Sequence, residues 1–334
     1  PIRPSTTNDS DEPETTPPFP VKERKKEASD THRHKQKMKI IFVFGGEGAH
    51  AVETDLELIK SSPSWPACVE ALKTVGMSET DVENTLGQHV APPSVVATTI
   101  INVCLCDLWR AWGFEPEIAT GHSIGELAAA YAAGLYTVAQ TVRLARDLGQ
   151  IGAEKTGAML HTTVPMIEED DTALFAPLSL AAVNARFLET ESMSVTLCGD
   201  EADVNDRLET DPNASKLFPR HPWHHPSYAG FFSEGKTKSL SLYDDGENKT
   251  TKGTSFDTPK MAPAAAEAGP EFGQETTTPE EEEENPTRAT KPTGTRFVSS
   301  TTTRTTLAAD HWAEWLRSPV AMADALDAVR TSCG

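Results

Sequence analysis

The sequence predicts an α/β fold: a parallel-sheet core with a small α+β subdomain inserted into it. Three observations predict it. The run Lys39 to Phe44, KIIFVF, is continuously β-branched and aromatic rather than alternating, as strands buried on both faces are. It runs directly into Gly45-Gly46-Glu47-Gly48, and a second short apolar run, Glu117 to Thr120, likewise ends at Gly121 before an Ala-rich stretch. From Gly157 to Pro222 the pattern changes to short strands around one helix, a change of class within the chain.

In chain order, residues 1–37 mix Thr, Pro, Asp and Glu before turning basic from Lys22 to Lys37, which reads as a disordered tail. The tail has no apolar h-region and so is not a secretory signal; the missing initiator Met leaves a processed or excised fragment open. Residues 38–156 form the first part of the large subdomain. They hold the KIIFVF strand, a helix over Pro92 to Trp112 ended by Gly113 and Pro116, the Glu117 to Thr120 strand, and a helix from Leu127 to Gly134. Residues 157–222 form the small subdomain, with strands at Ala158 to Val164, Leu178 to Val183 and Ser194 to Leu197 and a helix at Glu201 to Leu208. Residues 223–334 return to the large subdomain. They are interrupted at about 236–295 by a disordered insertion rich in Thr, Gly, Pro and charge, with five consecutive glutamates from Glu280 to Glu284. Arg296 to Ser300 is β-rich, and Asp310 to Val329 reads as one amphipathic helical stretch.

Composition narrows the function classes. Only 37% of the 334 residues are apolar and the mean hydropathy is -0.41, so part of the chain buries nothing. Thirty Lys and Arg against fifty Asp and Glu give a net charge of -20, which opposes docking on phosphate backbones and anionic lipid and argues against nucleic-acid binding. No apolar run reaches the roughly 18 to 20 residues of a membrane span, because Asn102 and Asp107 break the segment from Val95 to Leu108. Five cysteines, odd in number and without metal-ligand spacing, predict no metal site and a reducing compartment, cytoplasmic or organellar rather than secreted.

The sharpest chemical signal is Gly121-His122-Ser123-Ile124-Gly125, a G-x-S-x-G pentapeptide between a predicted strand and a predicted helix. The glycines leave room for a tight turn that presents Ser123 at a helix N-terminus, where the Ile124 N–H can face a developing oxyanion. The bland reading is a serine capping a helix after a glycine turn. A nucleophilic serine needs a base, and three of the ten histidines cluster in His221-Pro222-Trp223-His224-His225-Pro226, where solvated loop histidines are the alternative.

Together these residues resemble the malonyl-CoA:acyl-carrier-protein transacylases and the acyltransferase domains of polyketide and fatty acid synthases. FVFGGEGAH (Phe42 to His50) is similar to that family's F-V-F-x-G-Q-G-x-Q opening, and GHSIGELAAAYAAGL (Gly121 to Leu135) to its nucleophile segment. HPWHHP resembles its H-A-F-H-S-P block, and HWAEWLRSPVAMADAL (His311 to Leu326) its Y-W-x-x-x-L-R-x-P-V-x-F tail. The resemblance implies an α/β-hydrolase-like parallel core with a ferredoxin-like insert. It implies Ser123 as the acylated nucleophile, His224 as general base and later acid, and the backbone N–H groups of Glu47 and Ile124 as the oxyanion hole. It places His122, Leu148, Asn184 and His221 at the substrate, His221 as a packing neighbour, and sets the carbonyl that orients the base near Ala321. It implies acyl-CoA as substrate, an acyl carrier protein, free or in cis, as partner, and no tightly bound cofactor.

Four departures accompany the resemblance. Glu47 and Val95 stand where the family has Gln, and Leu148 stands where an Arg pairs with the malonyl carboxylate. The family's final strand, expected after Val329, does not occur before Gly334, which implies a fragment or a domain with an unpaired sheet edge. The expected activity is malonyl transfer through a Ser-linked acyl-enzyme. The alternatives are acetyl or another monocarboxylic acyl group, an α/β-hydrolase thioesterase, and a weakly active scaffold relative.

Overall fold

The computed structural model describes residues 39–50, 54–86, 90–167, 173–229, 294–308 and 310–333. The expected tail at 1–37 and nearly all of the expected insertion at 236–295 lie outside them. At the end of that span Thr295 is already in the fold, its hydroxyl donating to Pro116 O at 2.8 Å.

The large subdomain is built on three parallel strands in the order β1-β2-β7: β1 (Ile41–Phe44), β2 (Ile118–Gly121) and β7 (Arg296–Val298). Ile41 stands beside Ile118 and Ile118 beside Arg296, so both glycine-bearing loops leave the sheet at the same end. The same subdomain holds α1 (Leu56–Lys60), α2 (Trp65–Thr74), α3 (Glu79–Thr85), α4 (Pro93–Ala111), α5 (Gly125–Ala132) and α6 (Val138–Ala153). Helix α4 is apolar and long enough in composition to cross a membrane, but 72% of that stretch is buried, with α3, α5 and α6 packed around it. Helix α6 starts on a capping box, Thr137 Oγ1 accepting from Gln140 N while Gln140 Oε1 accepts from Thr137 N.

The small subdomain contains β3 (Ala158–Pro165), β4 (Ser179–Phe187), β5 (Ser192–Gly199), α7 (Glu201–Thr210) and β6 (Ser215–Lys216). Its sheet runs β6-β3-β5-β4, all neighbours antiparallel, the strand order of a ferredoxin-like sheet. Leu160, Val195, Leu197 and Val204 form its separate core under α7. Register shifts along β4 against β5 leave Asn184 as an extra residue between Val183 and Ala185, a bulge that re-aims its side chain.

The C-terminal segment departs from expectation. Instead of one helical stretch from Asp310 to Val329 there are α8 (His311–Arg317), β8 (Val320–Ala321) and α9 (Met322–Cys333). Pro319 is the physical reason: it has no N–H to continue α8 and pushes Ser318 into an extended conformation, φ -104° and ψ 145°. Strand β8 then pairs parallel with β4, Val320 beside Ala182, and Arg186 grips Asp324 through two hydrogen bonds at 2.5 and 3.2 Å. Ala325 and Val329 of α9 pack on Ile118 and Val298. The segment therefore ties both sheets together.

Candidate active site

Ser123 sits between β2 and α5 in the left-handed region, φ 51°, which a non-glycine residue adopts only under constraint. The two motif glycines supply that constraint. A Cβ on Gly121 would lie 2.2 Å from the Gly125 carbonyl group, and one on Gly125 would lie 2.4 Å from Phe44 O. The first glycine loop rests on the turn, since a Cβ on Gly46 would meet Ser123 Cβ at 3.4 Å. Around the turn His122 N donates to Phe44 O, Gly125 N to His122 O and Glu126 N to Ser123 O, each at 2.9 Å. Among the described residues neither the Glu47 nor the Ile124 N–H is spent on such a bond. Both remain available to an oxyanion.

His224 also has a left-handed backbone, φ 62°, and is almost wholly buried. Its ring nitrogens are assigned by their partners. Nδ1 faces two carbonyl oxygens, Trp315 O at 2.8 Å and Ser318 O at 3.1 Å, which only accept, so Nδ1 carries the proton. Nε2 is then the acceptor for the Ser123 hydroxyl at 2.8 Å. That is the tautomer a general base requires. Burial pushes the imidazole down to about 4; the Trp315 carbonyl opposes this, nearby His122 adds to it, and the Glu126 carboxylate and Ser318 carbonyl pull it back up. The base is neutral above that range.

The carbonyl expected near Ala321 is therefore displaced: Trp315 and Ser318 supply the acceptors, while Ala321 N donates to Ser300 O at 2.6 Å. Pro319 explains why Trp315 O is available. In a continuing helix residue 319 would donate to it, and proline cannot.

His122 Nε2 donates to Asn184 Oδ1 at 2.8 Å, and Asn184 Nδ2 donates to Thr196 Oγ1 at 3.1 Å, so the elbow reaches across to the small subdomain's bulge. His221 takes the packing role that the resemblance implies for it. Its Nε2 accepts from Ala91 N at 3.2 Å and its Nδ1 donates to Lys155 O at 3.0 Å, which uses both ring nitrogens. Leu148 is wholly buried in the main core on α6, as is Val95 on α4. Of the two nearest guanidinium groups in sequence, Arg146 pairs with Asp147 at 2.5 Å and Arg143 is exposed.

Glu47, the acidic departure in the oxyanion loop, turns its side chain away from the serine. One oxygen accepts from Trp223 Nε1 at 2.6 Å and the other from the Ser94 hydroxyl. Trp223 is the residue before the base, so the carboxylate ties the oxyanion loop to the turn that carries His224. Ser94 and Trp223 escape a motif-based reading because neither pairs with Glu47 at a sequence spacing that would suggest it.

Residues 41–209 match the acyl transferase domain family, half of the chain, from β1 to α7. The chain belongs to that family. The match contains Glu47, Ser123 and Asn184 and stops short of His224, which this acyltransferase domain positions through its tertiary structure. Similar curated proteins include polyketide synthase GfsE of Streptomyces halstedii, 30% identical over 186 residues, and a highly reducing polyketide synthase of Leptosphaeria maculans, 31% identical over 210 residues. These matches cover 50% and 54% of this chain and only 5% and 8% of the relatives. Among solved structures, the acyltransferase domain from the second module of the salinomycin polyketide synthase has a TM-score of 0.58 at 23% identity, covering 88% of this chain and 61% of that one. The Synechocystis malonyl-CoA:ACP transacylase has a TM-score of 0.58 at 18% identity, covering 88% and 86%. The fold is that of acyltransferase domains, and the enzyme class is acyltransferase.

Proposed function

We propose that this acyltransferase domain moves an acyl group from a CoA thioester to the phosphopantetheine thiol of an acyl carrier protein, through an ester on Ser123. The observation that carries the reading is the Ser123 Oγ to His224 Nε2 bond of 2.8 Å, with Nδ1–H held on two backbone carbonyls. Ser123 Oγ attacks the thioester carbon as its proton passes to Nε2, and the oxyanion meets the N–H groups of Glu47 and Ile124. Collapse expels CoA, whose thiolate takes that proton. The carrier thiol then gives its own proton to Nε2 and attacks the ester, and Ser123 leaves reprotonated. Both halves balance without a metal or a tightly bound cofactor. A solved neighbour pairs a malonyl-transacylase with its acyl-carrier protein, which supports the same class of partner here. A cytoplasmic or otherwise reducing compartment accords with Cys68, Cys104, Cys106 and Cys198 being buried free thiols.

For the acyl group, family resemblance supports malonyl. One point favours a second reading, an acyl group without a carboxylate: apolar, buried Leu148 stands where the resemblance puts the clamp Arg, and a buried carboxylate without a partner costs several kcal/mol. Incubation with malonyl-, acetyl- and longer acyl-CoA, followed by intact mass and transfer to a holo-carrier protein, tests both. Ester formation confined to Ser123 supports the mechanism; thioester hydrolysis without transfer sinks it in favour of a thioesterase, and no ester with any donor favours a scaffold. Preference for acetyl over malonyl selects the second reading.

A further inference from the structure

The carboxylate nearest the nucleophile in sequence makes or breaks no bond in this chemistry. Glu126, three residues after Ser123 and the second residue of α5, is fully buried among alanines and leucine. Its Oε2 accepts from Ser300 N at 3.2 Å, Ser300 Oγ at 2.9 Å and Thr301 Oγ1 at 3.4 Å. Its Oε1 lies 2.8 Å from His311 Nε2, close enough for an ion pair though not aligned as a hydrogen bond. His311 is itself buried, its ring edge-on to Trp312 at 4.9 Å. A carboxylate in such a place is costly unless it is paired and hydrogen-bonded; here Oε2 is hydrogen-bonded and Oε1 has His311 Nε2 as its near neighbour.

The partners of Glu126 have one thing in common: each leads to the groups that orient the base. His311 opens α8, whose last turn carries Trp315 O, with Ser318 O just beyond. Ser300 follows β7, and its carbonyl accepts from Ala321 N, which fixes the chain just after Ser318. The nucleophile's own helix thus fastens, through one side chain, both ends of the segment that holds His224.

We propose that Glu126 and His311 are a positioning pair, which sets the carbonyls of Trp315 and Ser318 relative to α5 and so fixes the tautomer and orientation of His224. The inference rests on the reading of Ser123 and His224 as the acylation dyad. Its structural half can be read independently, by 15N NMR of the protein labelled on histidine, where His224 reports its ring tautomer whether or not any acyl donor is accepted.

The test compares the full chain with Glu126→Gln, which keeps the shape and an oxygen for Ser300 while removing the charge facing His311. The expected result is an acylation rate lowered at least about tenfold at unchanged KM for acyl-CoA, a melting temperature within a few degrees, and a His224 spectrum changed from Nδ1–H alone to a mixture. A folded Glu126→Gln protein with unchanged rate and an unchanged His224 spectrum overturns the proposal. If that variant does not fold, His311→Phe and His311→Gln test the pair in its place. Loss of rate in Phe, with at least half of the loss recovered by the donor-bearing Gln, supports the pair; equal behaviour of the two, fast or slow, overturns it. Failure of every acyl donor with an intact Nδ1–H signature that Glu126→Gln disturbs would reject the transferase reading while leaving the positioning role standing.

Discussion

Ser123 and His224 share a left-handed backbone, with φ of 51° and 62°, yet they are kept there by different means. The serine is placed by glycines in two short motifs, whose missing side chains let the Phe44 to Gly46 loop lie on the Gly121 to Gly125 turn. The histidine is placed by carbonyls 91 and 94 residues downstream, on a helix end that a proline leaves open. One half of the dyad is specified by local sterics and the other by tertiary contacts. Damage to the first should come from adding atoms, and damage to the second from moving a distant segment.

Removing the reacting groups gives the largest effects. Ser123→Ala should abolish the acyl-enzyme, read by intact mass, with melting temperature nearly unchanged; ester on any other residue of that variant would end the mechanism. His224→Ala should slow acylation by about 10²- to 10⁴-fold, the usual range for losing a general base. The depressed imidazole also predicts the pH profile. The neutral form is the base, so acylation should fall only as pH drops through about 4. At pH 5 an imidazole of ordinary pKa, about 6.5, would be roughly 97% protonated and a base near 4 only about 10%. An acidic limb near 6.5 in kcat/KM would show that burial does not govern the site.

The local half is broken next. Gly125→Ala puts a methyl group against the carbonyls of Phe44 and Gly45, at 2.4 and 2.6 Å before relaxation. Overpacking of this kind costs about 1–3 kcal/mol, and here it should also separate the oxyanion loop from the serine. Urea unfolding and acylation rate should both fall; a variant losing neither would mean the two loops are not in close packing.

The distant half answers more mildly. Pro319→Ala supplies an N–H able to compete with His224 for Trp315 O, and acylation should slow by about three- to tenfold, since one of the two acceptors, Ser318 O, remains. An unchanged rate would assign the orientation of the base to Ser318 O alone.

The same contrast decides what was legible in the sequence. KIIFVF and the Gly121 turn announce strand and elbow because their geometry depends on residues within a few positions, and β1, β2 and α5 appear where composition and spacing put them. The Asp310 to Val329 stretch misleads, because its apolar periodicity runs through Ser318-Pro319; the proline was the available signal for the break and hence for the free carbonyl. Counting along the P-V-A motif reaches Ala321, a β8 residue committed to β4 and Ser300. The bulge that turns Asn184 toward His122 leaves no mark in a single sequence, because it is a property of the pairing between β4 and β5.

The smallest effect, that of Glu47→Gln, concerns the bridge between the two halves. Glu47 lies in the local half and Trp223 in the distant one, and their 2.6 Å hydrogen bond couples them. If the bond matters as a bond, Glu47→Gln should be mild, because Gln offers an oxygen to Trp223 Nε1–H and an amide N–H to the Ser94 oxygen; acylation should fall by no more than about threefold. Glu47→Ala leaves the buried indole N–H unpaired, which costs about 1–3 kcal/mol of stability, and should slow acylation by about three- to tenfold as the loop loosens. Trp223→Phe combined with Glu47→Ala should cost less than the sum of the single changes, since the second removes a partner already lost. Equal losses in the Gln and Ala variants would show instead that the negative charge itself, rather than its hydrogen bonds, keeps the oxyanion loop in place.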